Sequence, residues 1–159
     1  MRRISKTNLG RMLGAIALTG MISGVALAAV APKDAVAQRQ ANFKKLGGTF
    51  KALNDQLRSP APDKAQIVVL ANQLKALAPG IPTWFPAGSG AEAGVKTAAK
   101  AEIWQKPDVF KADAKALQVE TDKLAGIAGG GDIEAIKAQA NVVKNKCSAC
   151  HSDFRQKDS

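Results

Sequence analysis

Apolar side chains recur at spacings of three and four residues along four stretches of the chain, which places them on one face of an α-helix. The first stretch runs from about Asp34 to Arg58, the second ends at Pro79-Gly80, the third begins around Pro107, and the fourth follows Asp132. The inward positions are predicted to be Phe43, Leu46, Phe50, Leu53, Leu57, Ile67, Leu70, Leu74, Leu77, Phe110, Ala114, Leu117, Leu124, Ala128, Ile133, Ile136, Ala140 and Val143. No comparable stretch alternates between apolar and polar residues, as half-buried strands do, so the pattern predicts an all-α protein.

The breaks between these stretches predict how the helices are arranged. The sequence SPAP at 59–62 separates the first two helices, and Pro62 suits the first turn of the second. The sequence GGG at 129–131 ends the third helix, and Asp132 suits the N-cap of the fourth. Short connections make each of these pairs antiparallel neighbours, so the economical architecture is an antiparallel up-down four-helix bundle.

The connection between the second and third helices, residues 79–99, is much longer than the other two. Loops of this length are usually functional or held down by their own side chains. We expect Trp84 and Phe85 to hold this one against the bundle.

Residues 1–28 follow a different pattern. A head with four basic residues precedes an uncharged apolar run from Met12 to Ala28, which closes on small residues. This order is typical of a secretory signal peptide. A transmembrane anchor is the alternative, but a run of 17 residues interrupted by three glycines is marginal for a bilayer. We predict cleavage after Ala28, with Ala31 as the alternative site, and a mature domain of residues 29–159.

Charge and composition argue against some classes of partner for the mature chain. Cleavage removes four of 23 basic residues and none of the 13 acidic ones, which leaves a formal charge of +6. The lysines are scattered along the helices as on solvated faces, whereas nucleic-acid binding gathers charge on one element beside aromatic residues. We expect no nucleic-acid partner and, after cleavage, no membrane attachment.

The only two cysteines and the only histidine of the chain lie together as Cys147, Cys150 and His151. On a helix these positions share one face. A structural zinc site needs about four such ligands, a thioredoxin-like pair needs a βαβ context, and a plain disulfide leaves the histidine unexplained. Cys-x-x-Cys-His is the attachment signature of c-type haem, in which two thiols join the vinyl groups and the histidine binds iron.

The position opposite His151 on the iron has few candidate ligands. Electron-transfer cytochromes commonly use Met or a second His there, but all three methionines precede residue 29 and no second His exists. Tyrosine is absent from the chain. Only a lysine or the α-amino group remains, and Lys45 is the lysine we suspect if the iron is six-coordinate. The residue count therefore predicts a five-coordinate iron with an open face.

Other distinctive segments accompany the haem motif. They are RQANFKKLGG at 39–48, WFPAGSG followed by AEIWQKPDVF at 101–110, and the segment around the motif itself, CSACHSDFR at 147–155. In this order, within an exported helical chain, they resemble the cytochrome c′ family, the class II c-type cytochromes. The resemblance spans essentially the mature chain. It implies an antiparallel four-helix bundle that encloses a covalent, high-spin haem, usually as a homodimer packed through the first two helices.

The same resemblance implies roles for individual residues. Arg39 would reach a haem propionate, Arg155 would lie beside His151 on the proximal side, and Phe43 would cover the distal face where low-spin relatives place a ligating Met. Without a haem, Phe43 would be an ordinary core residue and Arg39 a solvated surface charge. Trp104 is expected to serve in packing.

An apolar distal face selects among small ligands. Bound dioxygen requires a hydrogen-bond donor and CO would be crowded by Phe43, whereas nitric oxide binds iron strongly without such help. We therefore predict a periplasmic haem protein that binds and sequesters nitric oxide. The alternative is a periplasmic electron carrier that presents a basic face to an acidic redox partner. Enzymatic turnover is not expected, because no distal acid or base was identified.

Overall fold

The computed structural model describes residues 30–157, and the predicted signal peptide lies outside them. Within this range the chain forms five α-helices: α1 (Pro32–Arg58), α2 (Lys64–Leu77), α3 (Glu102–Gln105), α4 (Pro107–Gly130) and α5 (Ile133–Phe154). The four long helices are the four that the apolar spacing predicts. They pack as an antiparallel four-helix bundle, which confirms the predicted fold class. The unpredicted α3 is a single turn that directly precedes α4.

Side-chain caps fix where two of the helices begin. Asp132 accepts hydrogen bonds from the backbone N–H groups of Glu134 and Ala135, at 3.0 and 3.3 Å, as its N-cap position predicts. At α2, Asp63 accepts from the N–H of Gln66 at 3.0 Å. The placement of Pro62 in the first turn of α2 is therefore wrong, because Asp63 provides the cap and the proline precedes it.

The predicted inward positions form the core. All of them are buried except Phe43, Phe50, Leu77 and Ile133, which are half-buried. The residues with essentially no exposure include Leu53, Ile67, Leu124 and Ile136. Burial of such side chains is the main favourable term in folding, at roughly 1.5–3 kcal/mol for each.

The short connections lie side by side at one end of the bundle, which we call the closed end (residues 59–63 and 131–132). Gly131 has a φ of +71°, a left-handed conformation that ends α4, and the space beside its Cα is bounded by the Lys64 side chain at the start of α2. Glycine is favoured there because other residues rarely adopt this conformation.

The opposite end carries the long connection and the end of α5, and we call it the cavity end. The connection contains two 3₁₀ helices, Ala78–Trp84 and Ala91–Ala93. It then pairs with the chain that follows α5: Lys100 N–H donates to the Phe154 carbonyl at 3.0 Å, and Gln156 N–H donates to the Ala98 carbonyl at 2.8 Å. The long connection is thus attached to the segment that carries the Cys-x-x-Cys-His motif.

Across residues 30–157, every helix is too short or too polar to cross a bilayer.

Candidate functional site

A cavity of about 520 Å³ lies among α1, α4, α5 and the long connection, and its volume falls in the usual range for small-molecule sites. Most of its wall is apolar. The wall also contains all six site residues predicted from the sequence: Arg39, Phe43, Cys147, Cys150, His151 and Arg155.

The face of α5 that borders the cavity carries the cysteine pair. Cys147 and Cys150 lie one helical turn apart, are half-buried and are not joined in a disulfide. Burial raises the pKa of the Cys147 thiol. Burial, followed by the negative charge of Asp113, raises the pKa of Cys150 to about 12. Both groups are therefore neutral thiols at neutral pH, directed into a largely apolar space.

His151 follows in the same cavity wall. The residue as a whole is exposed, but partial desolvation of its ring, followed by the positive charge of Arg155, lowers its pKa. The imidazole is therefore neutral at pH 7, which is the state that binds a metal. The backbone N–H of Arg155 donates to the carbonyl of His151 at 3.1 Å, so the end of α5 fixes these two residues relative to each other.

Phe43 borders the cavity from α1 and is held by two aromatic residues of the long connection. Its ring centroid lies 5.0 Å from that of Trp84, edge to face, and 6.0 Å from that of Phe85. Phe85 in turn packs on Phe110 of α4 at 5.0 Å. Trp84 and Phe85 therefore hold the connection against the bundle, as predicted, and also restrict the position of Phe43.

Arg39 lies one turn before Phe43 and is only 3% exposed. Its guanidinium donates to the Ser89 hydroxyl at 2.9 Å and to the Thr97 hydroxyl at 2.6 Å, and it lies over the Phe85 ring, 4.9 Å from the centroid. Burial lowers its pKa. Arg39 is thus buried even without a ligand, and the expectation that it would then be a solvated surface charge is wrong. The two hydroxyls of the long connection replace water around it.

Trp104 is half-buried and anchors the long connection. Its indole N–H donates to the carbonyls of Phe85 and Pro86, at 3.2 Å in each case, and its ring packs on Phe85. These contacts support the predicted packing role.

Several residues of the wall were missed from the sequence. Thr97 of the wall, and Ser89, which accepts a hydrogen bond from Arg39 behind it, lie in an irregular connection, where no periodicity marks inward positions. Lys44, rather than Lys45, belongs to the wall. Asp113 also belongs to the wall, and its spacing of three residues from Phe110 would have placed it on the inward face of α4.

These residues fit a haem c group. Two neutral thiols and a neutral imidazole lie on one helix face, as covalent attachment and iron ligation require. Arg39 presents a desolvated cation with five N–H donors, and the bonds to Ser89 and Thr97 leave donor capacity for a carboxylate. The apolar residues of the cavity wall would surround the porphyrin.

Comparisons with known proteins agree with this fit. The family model for cytochrome c′ matches residues 34–155. Cytochrome c′ from Alcaligenes xylosoxydans xylosoxydans is 34% identical over 127 residues, which covers 79% of this chain and 96% of that protein. Cytochrome c′ from Pararhodospirillum photometricum is 32% identical over 125 residues, with 79% and 98% covered.

Solved structures extend the similarity to three dimensions. A cytochrome c′ described as having ligand-controlled dimer dissociation is 26% identical, with a TM-score of 0.75 over 82% of this chain and 100% of that one. The nitric oxide complex of a variant of cytochrome c′ from Alcaligenes xylosoxidans is 30% identical, with a TM-score of 0.74 over 82% and 99%. The sequence, the fold and the haem motif of this chain all agree with those of its relatives, and the chain therefore belongs to the cytochrome c′ family of haem c proteins.

Proposed function

We propose that this protein binds nitric oxide at a five-coordinate haem iron in the periplasm and sequesters the gas. The observation that carries the proposal is the position of Phe43 in the cavity wall, restricted by Trp84 and Phe85. A ring at this place can neither ligate the iron nor donate a hydrogen bond, so it leaves an apolar coordination position.

The chain's own residues would hold the haem in the following way. Cys147 and Cys150 would each form a thioether bond with a vinyl group, and His151 would bind the iron through its neutral ring. Arg39 would donate to a propionate from its buried position. Arg155 would provide a positive charge beside His151 on the proximal side. The haem supplies the iron at which a diatomic gas binds.

The hydrogen-bond donors near Phe43 explain why we expect nitric oxide to bind in preference to dioxygen. Gln40 lies one turn before Phe43 on α1, but its amide donates to the Lys96 carbonyl at 3.0 Å. Lys44 is exposed, so its ammonium group is solvated. The remaining donors of Arg39 would be engaged by the haem propionate. Dioxygen would then lack the donor that stabilises its partial negative charge, whereas nitric oxide needs none. This comparison favours nitric oxide over dioxygen.

The nitric oxide complex of a related cytochrome c′ supports the choice of ligand. The relative with ligand-controlled dimer dissociation supports a homodimer, which we place on α1 and α2. On α2, Val69 is 48% exposed and would contribute an apolar contact to such an interface. We also propose that export removes residues 1–28, so that protein purified from the periplasm begins at Ala29, as its intact mass would report.

Absorption spectra of the purified holoprotein, ferric and then dithionite-reduced, test the coordination state before and after addition of nitric oxide. A broad ferrous Soret band without sharp α and β bands, which shifts with nitric oxide, is the expected result. Sharp low-spin bands would contradict the proposal and favour an electron carrier with a sixth ligand. Lys44→Ala would then identify a cavity-wall lysine as that ligand, with Lys45→Ala as the matched control outside the wall.

A further inference from the structure

Within residues 30–157, Asp113 is the one acidic residue in the cavity wall. It is half-buried on α4, where its spacing from Phe110 and Leu117 places it on the inward face of the helix. The basic members of the same wall are Arg39, Lys44 and Arg155. The role proposed above for the haem site makes no use of Asp113.

Asp113 lies on the side of the cavity that carries the haem attachment motif. Its charge acts on the Cys150 thiol, where it is the largest influence on the pKa after burial. A thioether at Cys150 would hold the vinyl edge of the porphyrin, and the propionates leave from the opposite edge of that ring. Asp113 would therefore lie beside the edge that carries no charge of its own.

A negative charge at this place affects the two oxidation states of the iron unequally. Reduction adds one electron from the reductant to ferric iron, so the ferric haem carries one positive charge more than the ferrous haem. A nearby carboxylate stabilises the ferric state by simple Coulomb attraction. This attraction is stronger in a partly buried, apolar wall than at the exposed surface, because water and salt screen it less.

We propose that Asp113 lowers the reduction potential of the haem iron. At a given ambient potential, a larger share of the iron is then ferric. This inference rests on haem attachment through Cys147 and Cys150, as in the proposed function. Asp113 would therefore influence the ratio of ferric to ferrous iron that is available when nitric oxide binds. Asp113 acts through its charge and needs no contact with the ligand.

The test is a mediated redox titration of the holoprotein and its Asp113→Asn variant, with dithionite as reductant. The variant removes the charge with almost no change of shape. We expect the ferrous-to-ferric ratio at a fixed potential to rise about threefold, which is about 28 mV at 59 mV for each tenfold change. Asp108→Asn is the matched control, because it removes the same charge from the exposed first turn of α4, outside the cavity wall.

Two further measurements separate a charge effect from a packing effect. Asp113→Glu keeps the charge, and its potential is expected to stay near that of the unchanged protein. The ferrous nitric oxide affinity of Asp113→Asn is expected to stay within about twofold, or about 0.4 kcal/mol at 1.4 kcal/mol for each tenfold change. An unchanged potential in Asp113→Asn, or an equal shift in Asp108→Asn, would overturn the inference.

The result does not depend on the coordination state of the iron. A low-spin spectrum of the unchanged protein would contradict the proposed gas binding, but the titration would still compare the same variants with their haem attached. Failure of the two proposals can thus be distinguished.

Discussion

The two ends of the bundle are built from different side chains. At the closed end, aliphatic residues such as Leu53, Ile67, Leu124 and Ile136 fill the space between the helices with almost no exposure. At the cavity end, aromatic rings line a space of about 520 Å³ that the protein itself does not fill. The same four helices therefore carry a packed core at one end and the candidate haem site at the other.

This difference indicates which end stabilises the fold and which end performs chemistry. Closed-end residues contact one another, so a change there should reduce the free energy of unfolding and leave the iron unaffected. Cavity-end residues line the proposed haem site, so a change there should alter ligand binding more than stability. Three substitutions, taken from the largest expected effect to the smallest, test this separation.

Leu53→Ala at the closed end is expected to have the largest effect. Leu53 has 0% exposure, and truncation of such a residue costs about 2–5 kcal/mol, because apolar contact is lost and a void remains. Urea unfolding of the ferric holoprotein measures this cost. The control is Val119→Ala on α4, outside the proposed dimer interface, where the side chain is 38% exposed and the expected change is within about 0.5 kcal/mol.

A loss below about 1 kcal/mol in Leu53→Ala would show that the closed end does not provide the main stabilising contacts. A changed haem spectrum in this variant would show instead that the two ends are coupled.

Phe43→Ala tests the cavity end. If Phe43 crowds the distal position as proposed, removal of its ring should raise the ferrous CO affinity about tenfold, or about 1.4 kcal/mol. CO titration followed by absorption measures the change. Phe50→Ala is the matched control, because Phe50 also borders the cavity from α1 but lies two turns farther along the helix. Unchanged CO affinity in Phe43→Ala would contradict a steric role for this ring.

Much of this architecture could be predicted from the sequence, because it depends on local periodicity. The spacing of apolar residues identified all four long helices, and the Cys-x-x-Cys-His motif placed its three residues on one helix face. Phe43 was also identified, since its place in the apolar stripe of α1 agrees with its place in the cavity wall.

The rest depends on contacts between distant parts of the chain. Arg39 is buried by Ser89 and Thr97, which lie 50 and 58 residues away in an irregular connection. No periodic pattern indicates such a contact. The α3 turn and the 3₁₀ helices were missed for a similar reason, since they are too short for a repeat of apolar positions to appear.

Asp132→Ala is expected to have the smallest of the three effects. It tests whether a small loss of stability at the closed end leaves the haem at the cavity end unaffected. Asp132 caps α5 at the closed end, while the haem motif lies at the other end of the same helix. Loss of the cap should cost about 1 kcal/mol in urea unfolding, because two N–H groups lose their acceptor. Asp132→Asn keeps a capping oxygen without the charge and should cost less than about 0.5 kcal/mol.

The haem spectrum and the CO affinity of Asp132→Ala should equal those of the unchanged protein, since α5 is held by its packing on α4 along its length. A shift in either would mean that fraying at the first turn of α5 reaches His151 through the helix. The ends of the bundle would then act as one unit, and the packed core would itself be part of the haem site.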